Sequence, residues 1–265
     1  MSTPSHVVGP AAGHPHTHTV ILLHGRDSKA EEFASEFFES EATEGIEAGR
    51  TLPALFPAVR WVFPQAKPLR SERFDADISQ WFDMWAVETP QERNELQVPG
   101  LKSSIDLVAQ VINDEEVLVP RGRIILGGIS QGFATSLALL FADSKGGFSG
   151  LCGFCSWLPL ADRATSVICE EDPQESLAAM QRLYGEQRSS PSPQLISTSI
   201  LLEHSQDDSV VPIENGTRMR DILGQLGFSV EWHGYEDGGH WVNEPQGVDD
   251  FVNFLRRVMG TVSGP

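Results

Sequence analysis

The stretch Gly127-Gly128-Ile129-Ser130-Gln131-Gly132-Phe133 decides the reading of this chain. Before it stands a run of apolar β-formers, Ile124-Ile125-Leu126. After it, Phe133, Leu137, Leu140 and Phe141 recur at helical spacing. A serine therefore sits between a buried strand and an amphipathic helix, inside Gly-x-Ser-x-Gly, the sequence of a nucleophile elbow. The turn must be sharp enough to lift the Ser130 hydroxyl above the sheet edge. Gly128 and Gly132 lack a Cβ, so strand and helix can approach a strained serine without a clash. The following helix directs its free N–H groups and the positive end of its dipole at the reacting centre.

Outward from this point, the chain has the bulk of one α/β domain with a single core. Its formal charge of -18 and lack of any basic run argue against a nucleic-acid or anionic-membrane surface, because phosphate contacts need clustered cations. No apolar run is long enough to span a bilayer, and the first residues lack the plan of a signal peptide. A soluble, cytoplasmic protein is expected. The 3 cysteines are too few for a disulfide framework. Cys152 and Cys155 form a Cys-x-x-Cys, but the surrounding Gly150–Ser156 segment reads as a strand, where positions three apart face opposite sides of the sheet. They are expected to be core thiols rather than a redox pair.

Residues 1–17 show no apolar period and read as a disordered tail, so the alternation of His14, His16 and His18 is not taken as a metal site. The folded domain is expected over 18–260. It begins with the apolar strand Thr19-Val-Ile-Leu-Leu23, followed by a helix over 29–48 and the strand Arg60-Trp-Val-Phe63. Residues 65–98 read mostly as loop. A helix near 101–117 precedes the central strand, and a further strand lies near 149–155. Residues 161–194 are acidic and rich in Ser and Pro, with a short helix expected near 174–184. They read as an insertion over the active-site face. Strands at 198–203 and 229–233, with helices at 213–226 and beyond His240, complete the alternation. Repeated strand–helix units imply a mostly parallel central sheet with helices on both faces.

A serine hydroxyl needs a base within hydrogen-bond reach, and the base needs an acid to fix its tautomer. After Ser130 the chain offers both, in the order serine, acid, histidine. The loop after the strand at 198–203 holds adjacent acids, Asp207 and Asp208, and the loop after 229–233 ends in Gly238-Gly239-His240. Each alone has an ordinary explanation, as a turn, a helix cap or a loop histidine. Their joint order, each at the C-terminal end of a separate strand, is what points to nucleophilic acyl transfer. An oxyanion hole needs two backbone N–H groups. Gln131 supplies one, and the His24-Gly25-Arg26 turn the other, through Arg26. His24 ends the first strand outside the serine–acid–histidine order and reads as structural.

These pieces resemble the acyl-protein thioesterase, carboxylesterase and lysophospholipase group of α/β-hydrolases. The resemblance is carried by Leu23-His-Gly25, Trp81-Phe82-Asp83, Leu126–Gly132, Trp157-Leu-Pro159, the His204…Asp208…Val211-Pro212 run and Gly239-His240, across about residues 19 to 257. It implies an α/β-hydrolase fold and a serine hydrolase acting on acyl thioesters or esters, without metal or cofactor, with S-acylated proteins or small acyl esters as substrates. By position it makes Ser130 the nucleophile, Asp208 the acid, His240 the base, and Arg26 and Gln131 the oxyanion donors. Trp81, Phe82 and Trp241 are expected beside the substrate. The alternatives are a short-chain carboxylesterase and a non-catalytic ligand receptor on the same scaffold. The chain departs from the group in Arg26-Asp27-Ser28, where Leu-Gly-Asp is usual, in Trp241, where a small residue is usual, and in the length of 161–194. That segment is expected to cover part of the acyl entrance.

Overall fold

The computed structural model describes residues 4–47, 49–143, 145–169, 172–185 and 191–260. In chain order the strands are β1 (Ser5–Val8), β2 (His18–Leu23), β3 (Glu41–Ile46), β4 (Gly49–Thr51), β5 (Val59–Pro64), β6 (Pro68–Ser71), β7 (Ala76–Ser79), β8 (Ile124–Ile129), β9 (Gly150–Phe154), β10 (Ile200–Ser205) and β11 (Val230–Tyr235). The helices are α1 (Ala30–Glu39), α2 (Leu52–Leu55), α3 (Gln97–Glu116), α4 (Gln131–Asp143), α5 (Ala161–Ser166), α6 (Pro173–Tyr184), α7 (Ile213–Gln225) and α8 (Gln246–Val258).

The main sheet has seven strands in the order β1-β5-β2-β8-β9-β10-β11. All its pairings are parallel except β1 with β5. The inner strands β8, β9 and β10 are buried along their whole length, as expected for strands covered on both faces. Strand β2 shows how the faces are divided. Ile21 and Leu23 join one core cluster, with α3, α4, α6 and α7, while Val20 and Leu22 join the other, with α1 and α8. The period of two along a strand produces that split. Because the strands are parallel, the loops after β2, β8, β10 and β11 emerge at one sheet edge, where the site forms.

The structure corrects several sequence expectations. The segment 1–17 is not uniformly a tail. Ser5–Val8 adds to the sheet edge, where Val8 pairs with Trp61 and Ser5 with Pro64, and the backbone of Ala11 and Thr17 is hydrogen-bonded to Pro57 and Ala58. An antiparallel edge strand needs only one apolar side, so its mixed composition hid it. The first helix ends at Glu39, and β3 and β4 follow as a small antiparallel pair. Residues 65–98 contain the hairpin β6–β7. Cys152 and Cys155 are free, buried and in the same core cluster rather than on opposite faces. Cys155 has left the strand with φ at +48°, which turns its side chain back.

The segment 161–194 also differs from expectation. Helix α6 packs on α4 at the flank of the domain, with Leu177 and Met180 in the core. Tyr184 stacks on Phe141 at 5.6 Å between centroids and donates its hydroxyl to the Pro159 carbonyl at 2.5 Å. Asp172 caps α6 through the N–H groups of Gln174 and Glu175. The segment is a side layer of the core.

Candidate active site

Ser130 stands between β8 and α4 with φ at +55°, a left-handed conformation that strains a residue with a side chain by about 1–3 kcal/mol. Its surroundings hold it there. The Ser130 N–H donates to Phe154 O at 2.9 Å, and Ser130 O accepts from the Ser156 hydroxyl at 2.7 Å and from Ala134 N–H at 3.1 Å. The elbow glycines are required by close approach. A Cβ on Gly132 would lie 2.1 Å from Leu23 O, and one on Gly128 2.4 Å from the same oxygen. The end of β2 is therefore clamped against the elbow. A Cβ on Gly25 would lie 3.7 Å from the Ser130 Cβ, so the turn after β2 borders the serine directly.

Asp208 and His240 meet from the loops after β10 and β11. His240 Nδ1 lies 2.8 Å from Asp208 Oδ2. The other carboxylate oxygen, Oδ1, accepts the N–H groups of Val210 and Val211 at 2.9 Å each. Burial alone would raise the Asp208 pKa. The hydrogen bonds from His204 and His240 outweigh it and hold the carboxyl well below the usual range. Asp207 has a separate task, since its Oδ1 accepts Gly239 N–H at 2.8 Å. The histidine loop is thus tied down just before His240. Asn243 secures its other end through the Asp237 carbonyl at 2.8 Å.

His24 does not enter the site. Its Nε2 accepts the N–H of Ala66 at 3.1 Å, which leaves Nδ1 as the donor to Gly25 O at 2.7 Å. Burial lowers its pKa and favours this neutral ring. The Arg26 guanidinium is folded onto the β6–β7 hairpin. Nε donates to Gln80 Oε1 at 3.0 Å and Nη2 to the Ser71 hydroxyl at 3.0 Å, with Asp83 at 3.8 Å and the Phe74 ring stacked at 5.2 Å. The Asp27 N–H adds a backbone bond to Ser79 O at 2.7 Å.

Ser130, His240, Trp241, Gly25 and Arg26 line one cavity of about 550 Å³. Its remaining walls include Phe33 and Ile129 from the domain, Phe74 and Ile78 from the hairpin, Val87, and Val210 beside Asp208. The sequence reading missed Phe33, Phe74, Ile78, Val87 and Val210. The apolar Phe74 and Ile78 were the available signal, in a hairpin whose strands are too short for a period to stand out. Trp241 packs edge-on against Phe33 at 5.9 Å, so the bulky residue after His240 forms a wall.

The expectation that Trp81 and Phe82 touch substrate is corrected. Both are 0 % exposed and absent from the cavity wall. Trp81 Nε1 donates to His24 O at 2.8 Å. The Gln131 side chain grips the pair, accepting Trp81 N–H and donating to Phe82 O, each at 2.8 Å. Trp81-Phe82-Asp83 is therefore a brace between the elbow, the β2 turn and the hairpin. For 161–194, expected over the active-site face, no described residue lines the cavity.

Among the described residues, Cys155, His204 and Asp208 group metal-ligand atoms within 4.8 Å of one another. These atoms are engaged with neighbours of their own: Cys155 Sγ lies 3.3 Å from Trp241 O, His204 Nε2 2.8 Å from Val211 O, and Asp208 is bonded as above. No described helix is long and apolar enough to cross a membrane.

The phospholipase/carboxylesterase family model matches residues 5–170, and the prolyl oligopeptidase family model matches residues 94–261. Acyl-protein thioesterase 1 of Gibberella zeae is 30% identical, covering 95% of this chain and 94% of its own. Acyl-protein thioesterase 1 of Yarrowia lipolytica is 27% identical, covering 91% of each. The crystal structure of Zea mays acyl-protein thioesterase 2 superposes with a TM-score of 0.69 at 22% identity, over 97% of this chain and 100% of that one, which speaks to the fold. The relatives extend along the whole chain and agree with the first of the two family matches. On the elbow, the sheet order and this match together, the chain belongs to the phospholipase/carboxylesterase family of α/β-hydrolases.

Proposed function

We propose that this protein, a hydrolase by family, cleaves acyl thioesters and esters through an acyl-Ser130 intermediate, with S-acylated proteins among its substrates. The observation that carries the reading is the His240 Nδ1–Asp208 Oδ2 hydrogen bond beside a serine that shares an apolar cavity with His240. In this mechanism His240 Nε2 takes the Ser130 proton as Oγ attacks the acyl carbon. The tetrahedral oxygen takes up negative charge, and the backbone N–H groups of Gln131 and Arg26 stabilise it. Gln131 is the first residue of α4, so its N–H has no carbonyl four residues earlier within the helix to bind. Collapse expels the thiolate or alkoxide, which His240 protonates. Water then attacks the acyl-serine, giving its proton to His240, and the carboxylic acid leaves with Ser130 restored. Asp208 keeps His240 in the Nδ1–H tautomer and stabilises the imidazolium formed twice per turnover.

The acyl chain is assigned to the cavity walled by Phe33, Phe74, Ile78 and Trp241, which would remove its apolar surface from water. The names of the relatives support thioesters over other acyl donors. The reading includes a cytoplasmic location, in keeping with free cysteines that form no framework. The test is turnover of acetyl, octanoyl and palmitoyl substrates as matched thioesters and oxyesters, with fluorophosphonate labelling of Ser130. Stoichiometric labelling with turnover is expected. Folded protein that neither labels nor turns over would leave a ligand receptor on this scaffold, and activity confined to acetyl esters would leave a short-chain carboxylesterase.

A further inference from the structure

His204 ends β10 four residues before Asp208 and is 1 % exposed. Both neighbours of its Nε2 are acceptors: Val211 O at 2.8 Å and Asp208 Oδ2 at 3.3 Å. Nε2 therefore carries the proton, which it donates to Val211 O, with Asp208 Oδ2 a second, longer contact of the same N–H. Asp208 Oδ2 is in this way shared between two imidazoles, His240 at 2.8 Å and His204 at 3.3 Å.

The rest of the ring is fitted with equal closeness. Nδ1 abuts Gly216 in the interior of α7, where a Cβ would lie 2.4 Å from it. A glycine inside a helix costs about 1 kcal/mol against alanine, so its presence there has a reason in the ring it admits. Trp232 of β11 closes the other side at 6.4 Å between centroids.

We propose that His204 is a positioning residue for the hydrolytic reaction, which orients Asp208 and tempers its basicity by donating a second imidazole N–H to the oxygen that holds His240. The inference rests on Asp208 serving as the acid of the proposed mechanism. Two consequences follow from the geometry. Without His204, Oδ2 and the Val211 carbonyl lose a common anchor, so the loop from β10 to α7 holds the carboxylate less firmly. The carboxylate also loses a donor, becomes more basic, and draws the His240 proton more strongly. The titratable and charged groups near this pair include Cys155 from the end of β9, Glu203 beside His204 on β10, Asp207 on the same loop, and Arg26, Asp27 and Glu36 on the cavity wall. None of them is altered in the variants below.

The experiment is kcat, KM and the pH profile of kcat/KM for His204→Leu and His204→Gln. The amide of glutamine can put an N–H near the position of Nε2. His204→Leu is expected to lower kcat about tenfold to a hundredfold with KM within about threefold, the range of a lost hydrogen bond to a charged group. Its acid limb, which reports protonation of His240 in the free enzyme, moves to higher pH. His204→Gln regains most of kcat and the original limb. A limb that stays in place or moves to lower pH overturns the proposal, because a ring that only fills space would let Asp208 drift away from His240. Unchanged kcat in His204→Leu overturns it too.

Should His204→Leu not fold, Gly216→Ala presses on the ring from outside while keeping every side chain of the site. It is expected to lower kcat with the same upward shift of the limb, and unchanged kinetics in that variant count against the proposal. Asp208→Asn separates the two claims. If it retains full turnover, the reading of Asp208 as the acid fails. If it is inactive while His204→Leu is normal, only the present inference fails.

Discussion

At the scale of single residues, the neighbouring acids of one loop have been given different tasks. Asp208 holds His240, and Asp207 pins the loop that delivers it. Asp208→Asn is expected to lower kcat by about 10³- to 10⁴-fold, as the loss of the orienting acid does in serine proteases. Asp207→Asn keeps an oxygen that can accept Gly239 N–H and should cost less than about tenfold, the usual scale of a surface change. Steady-state kinetics of the two variants decide the assignment, and reversed effects would move the acid by one position. Ser130→Ala should fold and lose nearly all turnover, with unchanged ester hydrolysis as the result that ends the mechanism.

The depressed Asp208 pKa has a sign for stability. A carboxyl bound more weakly to its proton in the folded state contributes stability above its unfolded pKa of about 3.9, and the contribution is lost as pH falls through that value and below. Urea melts at pH 5 and pH 3 should therefore show a shallower loss for Asp208→Asn than for the wild type.

Ser130, Asp208 and His240 could be picked out because acyl transfer calls for those residue types and each stands at the end of a separate strand. The direction faced by Trp81 and Phe82 was not. An aromatic pair in a loop can face a cavity or a core, and only the grip of Gln131 and His24 decides it.

At the scale of elements, the β6–β7 hairpin borders the cavity, and α6 packs on the flank of the core. Composition marked 161–194 as foreign to the domain, yet its helical face carries Leu177, Met180 and Tyr184, enough to bury it on α4. The hairpin is four residues per strand, too short for a period to stand out, and it borders the cavity. Phe74, 57 % exposed at its tip, is the apolar wall residue most open to water. Phe74→Ala should raise KM for palmitoyl substrates by more than for acetyl esters, by up to the roughly 1.5–3 kcal/mol that burying such a side chain is worth. Equal effects on both chain lengths would remove the hairpin from the acyl path.

Strand β10 holds a second titrating group with the opposite sign. Glu203 is fully buried, and neither carboxylate oxygen has a hydrogen-bond partner among the described residues. Burial, then the charges of Asp250 and Glu231, push its pKa well above the ordinary value. A carboxyl that holds its proton more tightly when folded lowers stability progressively as pH rises above its unfolded pKa of about 4.3. Glu203→Leu should stabilise the protein, with a gain in melting temperature larger at pH 8 than at pH 5. A gain independent of pH would mean that the carboxyl titrates as it does in water.

At the scale of the whole molecule, the alternation of apolar strands and amphipathic helices sufficed for the fold, because a strand covered on both faces must be apolar throughout. The edges were harder to read. Strand β1 is covered on one side only and pairs through its backbone, which leaves its side chains free to look like those of a tail. The charge of -18 acts at this scale as well. Self-repulsion among carboxylates opposes the compact state and is screened by salt. Raising ionic strength from about 0.01 to about 0.1 M, which shortens the Debye length from about 30 to about 10 Å, should raise the melting temperature. A falling one would mean that surface ion pairs outweigh the repulsion.

The placement of the cysteines also matters at the bench. Cys152 and Cys155 lie within the core, and burial raises the pKa of both thiols, so neither presents a thiolate to solvent. Cys169 is exposed, in the turn that leads into α6. A maleimide dye added to the native protein should therefore attach at a single position, away from the cavity, with no cysteine removed beforehand. Wild-type protein would then serve directly for single-molecule fluorescence or oriented immobilisation, its hydrolytic cavity facing elsewhere.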